Sequence, residues 1–131
     1  MPSPVDVDQV RGTEAQLGVT FPRSFVERML VENGGDIVIE DEPWSLNPFL
    51  DTSDQTRLKH TFNDIVRETA NAREWPIFPA SGISIASNGM GDHLVLLPDP
   101  GQPQVLRGTV FMWSHETGEL DRVADDFAEL Q

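Results

Sequence analysis

Three histidines, His60, His93 and His115, are the side chains best suited to moving protons near neutral pH. Nucleophilic catalysis would need one of them within hydrogen-bond reach of a nucleophile and held by a third group. His93 follows Asp92 where a strand should leave a glycine-rich turn, and His115 precedes Glu116 at the end of another strand. Either could meet Ser84, Ser87 or Ser114, which makes a small hydrolase using His93 or His115 one function to consider. No serine lies in a G-x-S-x-G elbow, and histidines at loops and strand ends are mostly structural or solvated. His60 falls about 200° round a predicted helix from Leu58, on its polar face. The expectation is a protein without catalytic residues.

Metal and cofactor chemistry finds little support. The 131 residues include no cysteine, so disulfides, thiolate nucleophiles and Cys-ligated metals are excluded. There is no H-E-x-x-H helix and no EF-hand loop, and His115-Glu116 alone is not a ligand set. Gly89 and Gly91 are followed by Asp92 and a strand, whereas a phosphate loop needs Lys and Ser or Thr there. They read as a hairpin turn needing positive φ. No metal and no cofactor are expected. Trp44, Trp75 and Trp113 read as core pieces, with a protein-contact anchor as the alternative.

Charge is the more informative feature. The formal net charge is −13, from 22 acidic and 9 basic side chains. Nucleic acid and anionic lipid bind through clustered Lys and Arg, so neither is an expected partner. Between Arg28 and Arg57 there is no Lys or Arg, yet Glu32, Asp36, Glu40, Asp41, Glu42, Asp51 and Asp54 lie in that gap. Composition leaves two readings open. The run is a solvated face that aids solubility, or a surface whose mutual repulsion a cationic partner relieves. The expected partner-binding set is these seven carboxylates with Trp44.

The surrounding elements follow from periodicity. Ser3 can cap and Pro4 start a first helix reaching Leu17 and stopping at Gly18. Pro22 opens a second, with Phe25, Val26, Met29 and Leu30 on one face and Gly34 or Gly35 closing it. Ile37 and Ile39 alternate with acids as a strand, and Trp44 to Leu46 supplies another. Ser53 or Asp54 can cap a long helix with Leu58, Phe62, Ile65, Val66 and Thr69 on its apolar face, ending before Trp75-Pro76. Ile83 to Ile85 and His93 to Leu97 form a hairpin, and Val105 to Trp113 gives one or two further strands. Val123, Ala124, Phe127 and Leu130 make a last helical stripe, with Trp113 and Phe127 expected in the core. The order predicts one α+β domain over residues 1–131, an antiparallel-rich sheet with helices packed around it. No apolar run approaches the roughly 20 residues of a membrane span. Met1 to Asp6 shows neither a basic nor an apolar leader region, so a cytoplasmic protein is expected.

Several segments, taken in order, resemble the SUKH superfamily, the fold shared by fungal cell-wall glucan-synthesis regulators and many bacterial toxin-immunity proteins. They are Leu17 to Pro22 leading into Phe25–Leu30 and Asn33-Gly34-Gly35, then Ile77-Phe78-Pro79 with Ile83 to Ala86. Asn88 to Leu96, Gly108 to Glu116 and Val123 to Leu130 complete the pattern, while Ile37 to Ala72 carries little of it. The resemblance implies a protein-binding α+β domain in which the glycines and Trp113, His115 and Glu116 are fold determinants. In bacterial members the usual role is immunity, by binding a toxin that is often a nuclease. A basic toxin domain is then the expected partner, and a regulatory scaffold without a toxin target is the alternative.

Overall fold

The computed structural model describes residues 3–130; Met1, Pro2 and Gln131 lie outside the described residues. Helices α1 (Val7–Leu17) and α2 (Arg23–Val31) precede strands β1 (Asp36–Ile39) and β2 (Glu42–Leu46). Helices α3 (Gln55–His60) and α4 (Ile65–Ala72) lead to β3 (Ile83–Ser87) and β4 (His93–Leu96). A two-stranded ribbon of β5 (Pro98–Asp99) and β6 (Gln102–Leu106) follows, then β7 (Val110–Trp113), β8 (Leu120–Ala124) and a 3₁₀ turn, Phe127–Leu130. Six strands form one sheet in the order β1-β2-β3-β4-β7-β8, every neighbouring pair antiparallel. This is an α+β fold.

Local chemistry explains the helix ends. Helix α1 starts at Val7 instead of Pro4, because the Asp6 side chain, not Ser3, accepts the Asp8 N–H. Val5 and Val10 then bury together across that first turn, as in a hydrophobic staple. Gly18 closes the helix at φ 72°, its N–H donating to the Glu14 carbonyl. Helix α2 follows Pro22 as expected and buries Phe25 and Met29, but no glycine caps it. Its C-terminal cap is Glu32 in extended conformation, and the Arg28 guanidinium donates to the Glu32 and Gly34 carbonyls.

The single long helix expected between Asp54 and Trp75 is two short ones. Asp54 and Asp64 each cap a helix through their own side chains, accepting from Arg57 and Arg67 N–H. Between them Thr61 turns its hydroxyl to the Arg57 carbonyl and accepts the Asp51 N–H at 2.9 Å, which ends α3. Leu58 and Phe62, on the predicted apolar face, are consequently exposed. The final helix is also revised. Val123 and Ala124 belong to β8, paired with β7, and only a 3₁₀ turn carries Phe127.

Both faces of the sheet are covered. On one, Ile83, Ile85, Leu94, Leu96 and Val110 meet Phe25, Phe49 and Phe127 from the helical side, with Phe25 and Phe127 edge to face at 5.0 Å. A register shift between Ser84 and Ala86 directs both Ile85 and Ala86 into this core. On the other face Val95 and Trp113 pack with Ala72 and Phe78, supplied by α4 and the segment after it. Trp113 and Phe127 are therefore both fully buried, in separate clusters.

Candidate functional site

The acidic stretch does not form one surface. Strands β1 and β2 pair from Asp36↔Ser45 to Ile39↔Glu42, so residues 36–42 fold into a tight hairpin. Asp36 is exposed at its base and accepts from the Ser45 hydroxyl at 3.1 Å. Glu40 and Asp41 occupy the tip, and Glu42 begins the return strand. Glu32, at the end of α2, pairs with Arg28 at 3.0 Å and lies against Gly35, the residue before β1. Asp54 is spent on capping α3. Two members of the expected set are interior. Trp44 alternates inward from β2 and is 2% exposed, packed in the core because its strand neighbours Pro43 and Ser45 take the solvent face. Asp51 is buried too; it accepts from Ser53 N–H and hydroxyl and lies 3.7 Å from Arg57, beside a cleft of about 350 Å³ that His60 also lines. Trp44 anchors β2 in the core and Asp51 organises the loop between β2 and α3, each with about 2% of its surface exposed.

The hairpin tip is unusual in its backbone. Glu40 and Asp41 have φ of 50° and 67°, the left-handed conformation that a two-residue type I′ turn needs and that Asn and Gly adopt more cheaply. They are the two non-glycine residues with positive φ among those described. Holding acidic side chains there costs on the order of 1–3 kcal/mol per residue. Neither carboxylate has an ion-pair partner among the described residues.

Sheet topology brings other loops to the same end. In this antiparallel order the β1–β2 tip, the β3–β4 turn and the β7–β8 turn all project from one edge of the strands. Side chains join them in a chain. Asn88 donates to Glu42 at 3.0 Å and to Asp92 at 3.2 Å, and Asp92 accepts from His115 Nδ1 at 2.8 Å and from His115 N–H at 3.1 Å. Burial alone would raise the Asp92 pKa, but the hydrogen bonds from His115 and Asn88 outweigh it and hold the carboxyl below its usual range. Glu116 and Glu119 follow in the β7–β8 turn. Asn88, Asp92 and His115 were missed as residues linked to the acidic hairpin, since nothing in the sequence relates residues 42, 88, 92 and 115. Gly89 and Gly91 take positive φ in the β3–β4 turn, as the hairpin reading requires.

The histidine–serine chemistry also has a definite geometry. Ser84 Oγ lies 2.7 Å from His93 Nδ1, a nucleophile–base distance. Asn47 Nδ2 donates to that same Oγ at 3.1 Å, leaving the hydroxyl proton to point at His93. Ser84 is fully buried between β2 and β4, however, and its N–H is taken by Thr69 Oγ1. Burial pushes the His93 pKa down, against the opposing pull of Glu68 and Asp92. The pair satisfies polar atoms beneath Phe78 and Trp113, whose rings lie 5.9 Å from the imidazole. A substrate carbonyl has no access to that hydroxyl.

Among the described residues no group of three or more His, Asp or Glu side chains is placed to hold a metal ion, and no helix is long and apolar enough to cross a membrane. No curated protein and no solved structure shows a significant match to the chain. The model of the SMI1 / KNR4 family (SUKH-1) matches residues 4–130, nearly the whole length, including the helix pair, the β3–β4 turn and the β7 strand described above. The chain belongs to the SMI1 / KNR4 family (SUKH-1).

Proposed function

We propose that this protein is a non-catalytic binding domain that acts as an immunity protein, neutralising a basic toxin domain, such as a nuclease, by covering its cationic surface. The observation that carries the reading is the β1–β2 tip, where Glu40 and Asp41 keep a costly left-handed backbone, have no cationic partner among the described residues and stand in a stretch free of Lys and Arg. Backbone strain of this kind persists where the surrounding structure gains something by it. Family membership fits an immunity or a regulatory role equally, and the acidic tip favours a cationic target in either case. Nuclease domains present basic surfaces to nucleic acid, and an acidic protein speeds encounter with them by charge complementarity.

The test is affinity capture with the product of the adjacent gene. An immunity role predicts a secreted toxin encoded next door, a stable complex, and loss of the toxin's activity on addition of this protein. Capture of a non-secreted, non-toxic partner instead would support the regulatory role. A neighbouring toxin that neither binds nor loses activity would overturn the immunity reading.

A further inference from the structure

Of the three tryptophans, Trp44 and Trp113 are interior, but Trp75 is 46% exposed. It is held nonetheless. Its ring stands edge to face with Trp113 at 6.3 Å and with His115 at 5.8 Å. Two residues on, Ile77 is 51% exposed, while its carbonyl accepts from Trp113 Nε1 at 3.3 Å and its side chain closes on Gly118, where an added Cβ would come within 2.8 Å. Leu120 pairs with Trp113 across β7 and β8 and so shares that face of the sheet. Met90, 70% exposed, tops the turn whose Gly91 packs against His115. Trp75 and Ile77, held by these contacts while left in water, lose little freedom on binding, the property of interface anchors.

The charge around them points to the occupant. The segments that build this face, 74–77, 88–93 and 114–120, carry Glu74, Asp92, Glu116 and Glu119 and no Lys or Arg, while Asp121, opposite Met112 in β7, points to the other side of the sheet. The nearby cations have partners of their own: Arg73 donates to the Gly82 carbonyl, and Arg122, on the same face of β8 as Leu120, pairs with Asp125 at 3.1 Å. An uncharged apolar partner would desolvate these carboxylates without pairing them, and an anionic partner or membrane would be repelled. Arginine answers both needs, because its guanidinium stacks on an indole face while donating to carboxylates.

We propose that the face formed by Trp75, Ile77, Met90 and Leu120 is the docking surface for an arginine-bearing segment of a partner protein, with Trp75 as the ring the guanidinium covers. The inference rests on the proposed binding of a basic protein and locates the contact, which the acidic hairpin tip alone would place elsewhere.

The experiment uses the full chain and three synthetic probes: an alternating arginine–leucine peptide, its lysine–leucine counterpart and a glutamate–leucine control. Amide and indole shifts are followed by NMR. The arginine probe should bind saturably and shift the Trp75 indole, Met90 and residues 115–120, and the glutamate probe should not bind. Trp75→Leu keeps Trp113 covered but removes the π face, and should weaken the arginine probe about tenfold while changing the lysine probe less. Val31→Ala, an exposed apolar residue on α2, should leave binding unchanged. Absence of saturable binding, shifts confined to residues 36–42, or equal affinity of Trp75→Leu and wild type would each overturn the inference. A captured toxin that binds Trp75→Leu as tightly as wild type would overturn it too, while leaving the immunity reading intact; a toxin that ignores wild type defeats that reading whatever the peptides do.

Discussion

Asp92 and His115, 23 residues apart, lock two turns together: one carboxylate oxygen takes both the imidazole Nδ1 proton at 2.8 Å and the backbone N–H of the same residue at 3.1 Å. Asn88 reaches the second oxygen and carries the connection on to Glu42. The end of the sheet that gathers the acidic loops is thus a linked assembly.

Asp92→Ala removes three hydrogen bonds to a partly buried carboxylate and should lower stability by about 1–3 kcal/mol at pH 7 in urea denaturation. Because the folded-state pKa lies below the ordinary aspartate value of 3.8, this contribution is full above that pH and is lost as pH falls through the folded value. The wild type and variant should therefore converge in strong acid. A gap that stays constant down to pH 2 would contradict the assignment.

The pH response near neutrality should come from His93. Its folded pKa is pushed below 6.5 by burial, so the unfolded chain binds the extra proton and stability falls as pH drops from 6.5 towards the folded value. Glu68 and Asp92 facing it moderate the shift, and His115 adds to it. His93→Gln, which can still meet Ser84, should flatten stability between pH 7 and pH 5.5, measured by urea midpoints. An unchanged slope would assign the effect to another group.

Much of this architecture was legible in the residues. Helix α2 follows from Pro22 and a 3.6-residue apolar period, and the β3–β4 hairpin from alternating Ile83 and Ile85 and the glycines that supply positive φ. The break between α3 and α4 was not, because the Thr61 hydroxyl that ends α3 is engaged by Asp51, whose position the tertiary fold decides. Leu58 and Phe62 kept helical spacing across that break and so imitated one apolar face. Val123 and Ala124 fit a helical stripe as well as a strand end, and pairing with β7 settles the matter. For the candidate site, the tip residues Glu40, Asp41 and Glu42 were visible as charge. Trp44 read as a core piece and is one, although the expected partner set also included it; the burial of Asp51 was not legible, since composition carries no inside and outside. Trp75, Asp92 and His115 come together only through strand order.

Phe127→Ala tests whether the short C-terminal turn is integral. Its ring is fully buried against Phe25, and truncation should cost about 3–5 kcal/mol. A loss below about 1 kcal/mol in equilibrium denaturation would mean that the turn is peripheral.

Asp41→Gly should raise stability by about 1 kcal/mol, because glycine takes φ 67° without the strain of a side chain. The same variant should associate more slowly with the proposed basic partner. A variant that is less stable than wild type would refute the strained-tip account.

The central claim is that the acidic tip recruits a basic partner, and association kinetics address it most directly. Glu40→Gln, Asp41→Asn and Glu42→Gln combined remove three charges while preserving the turn and the Asn88 contact to residue 42. Stopped-flow or surface-based rates with the captured toxin should show slower association at low salt and little change in dissociation. Raising the salt to physiological strength, where screening acts over roughly 8 Å, should shrink the difference. Association rates equal to wild type at low salt would contradict the account and leave the hairpin a solvated face.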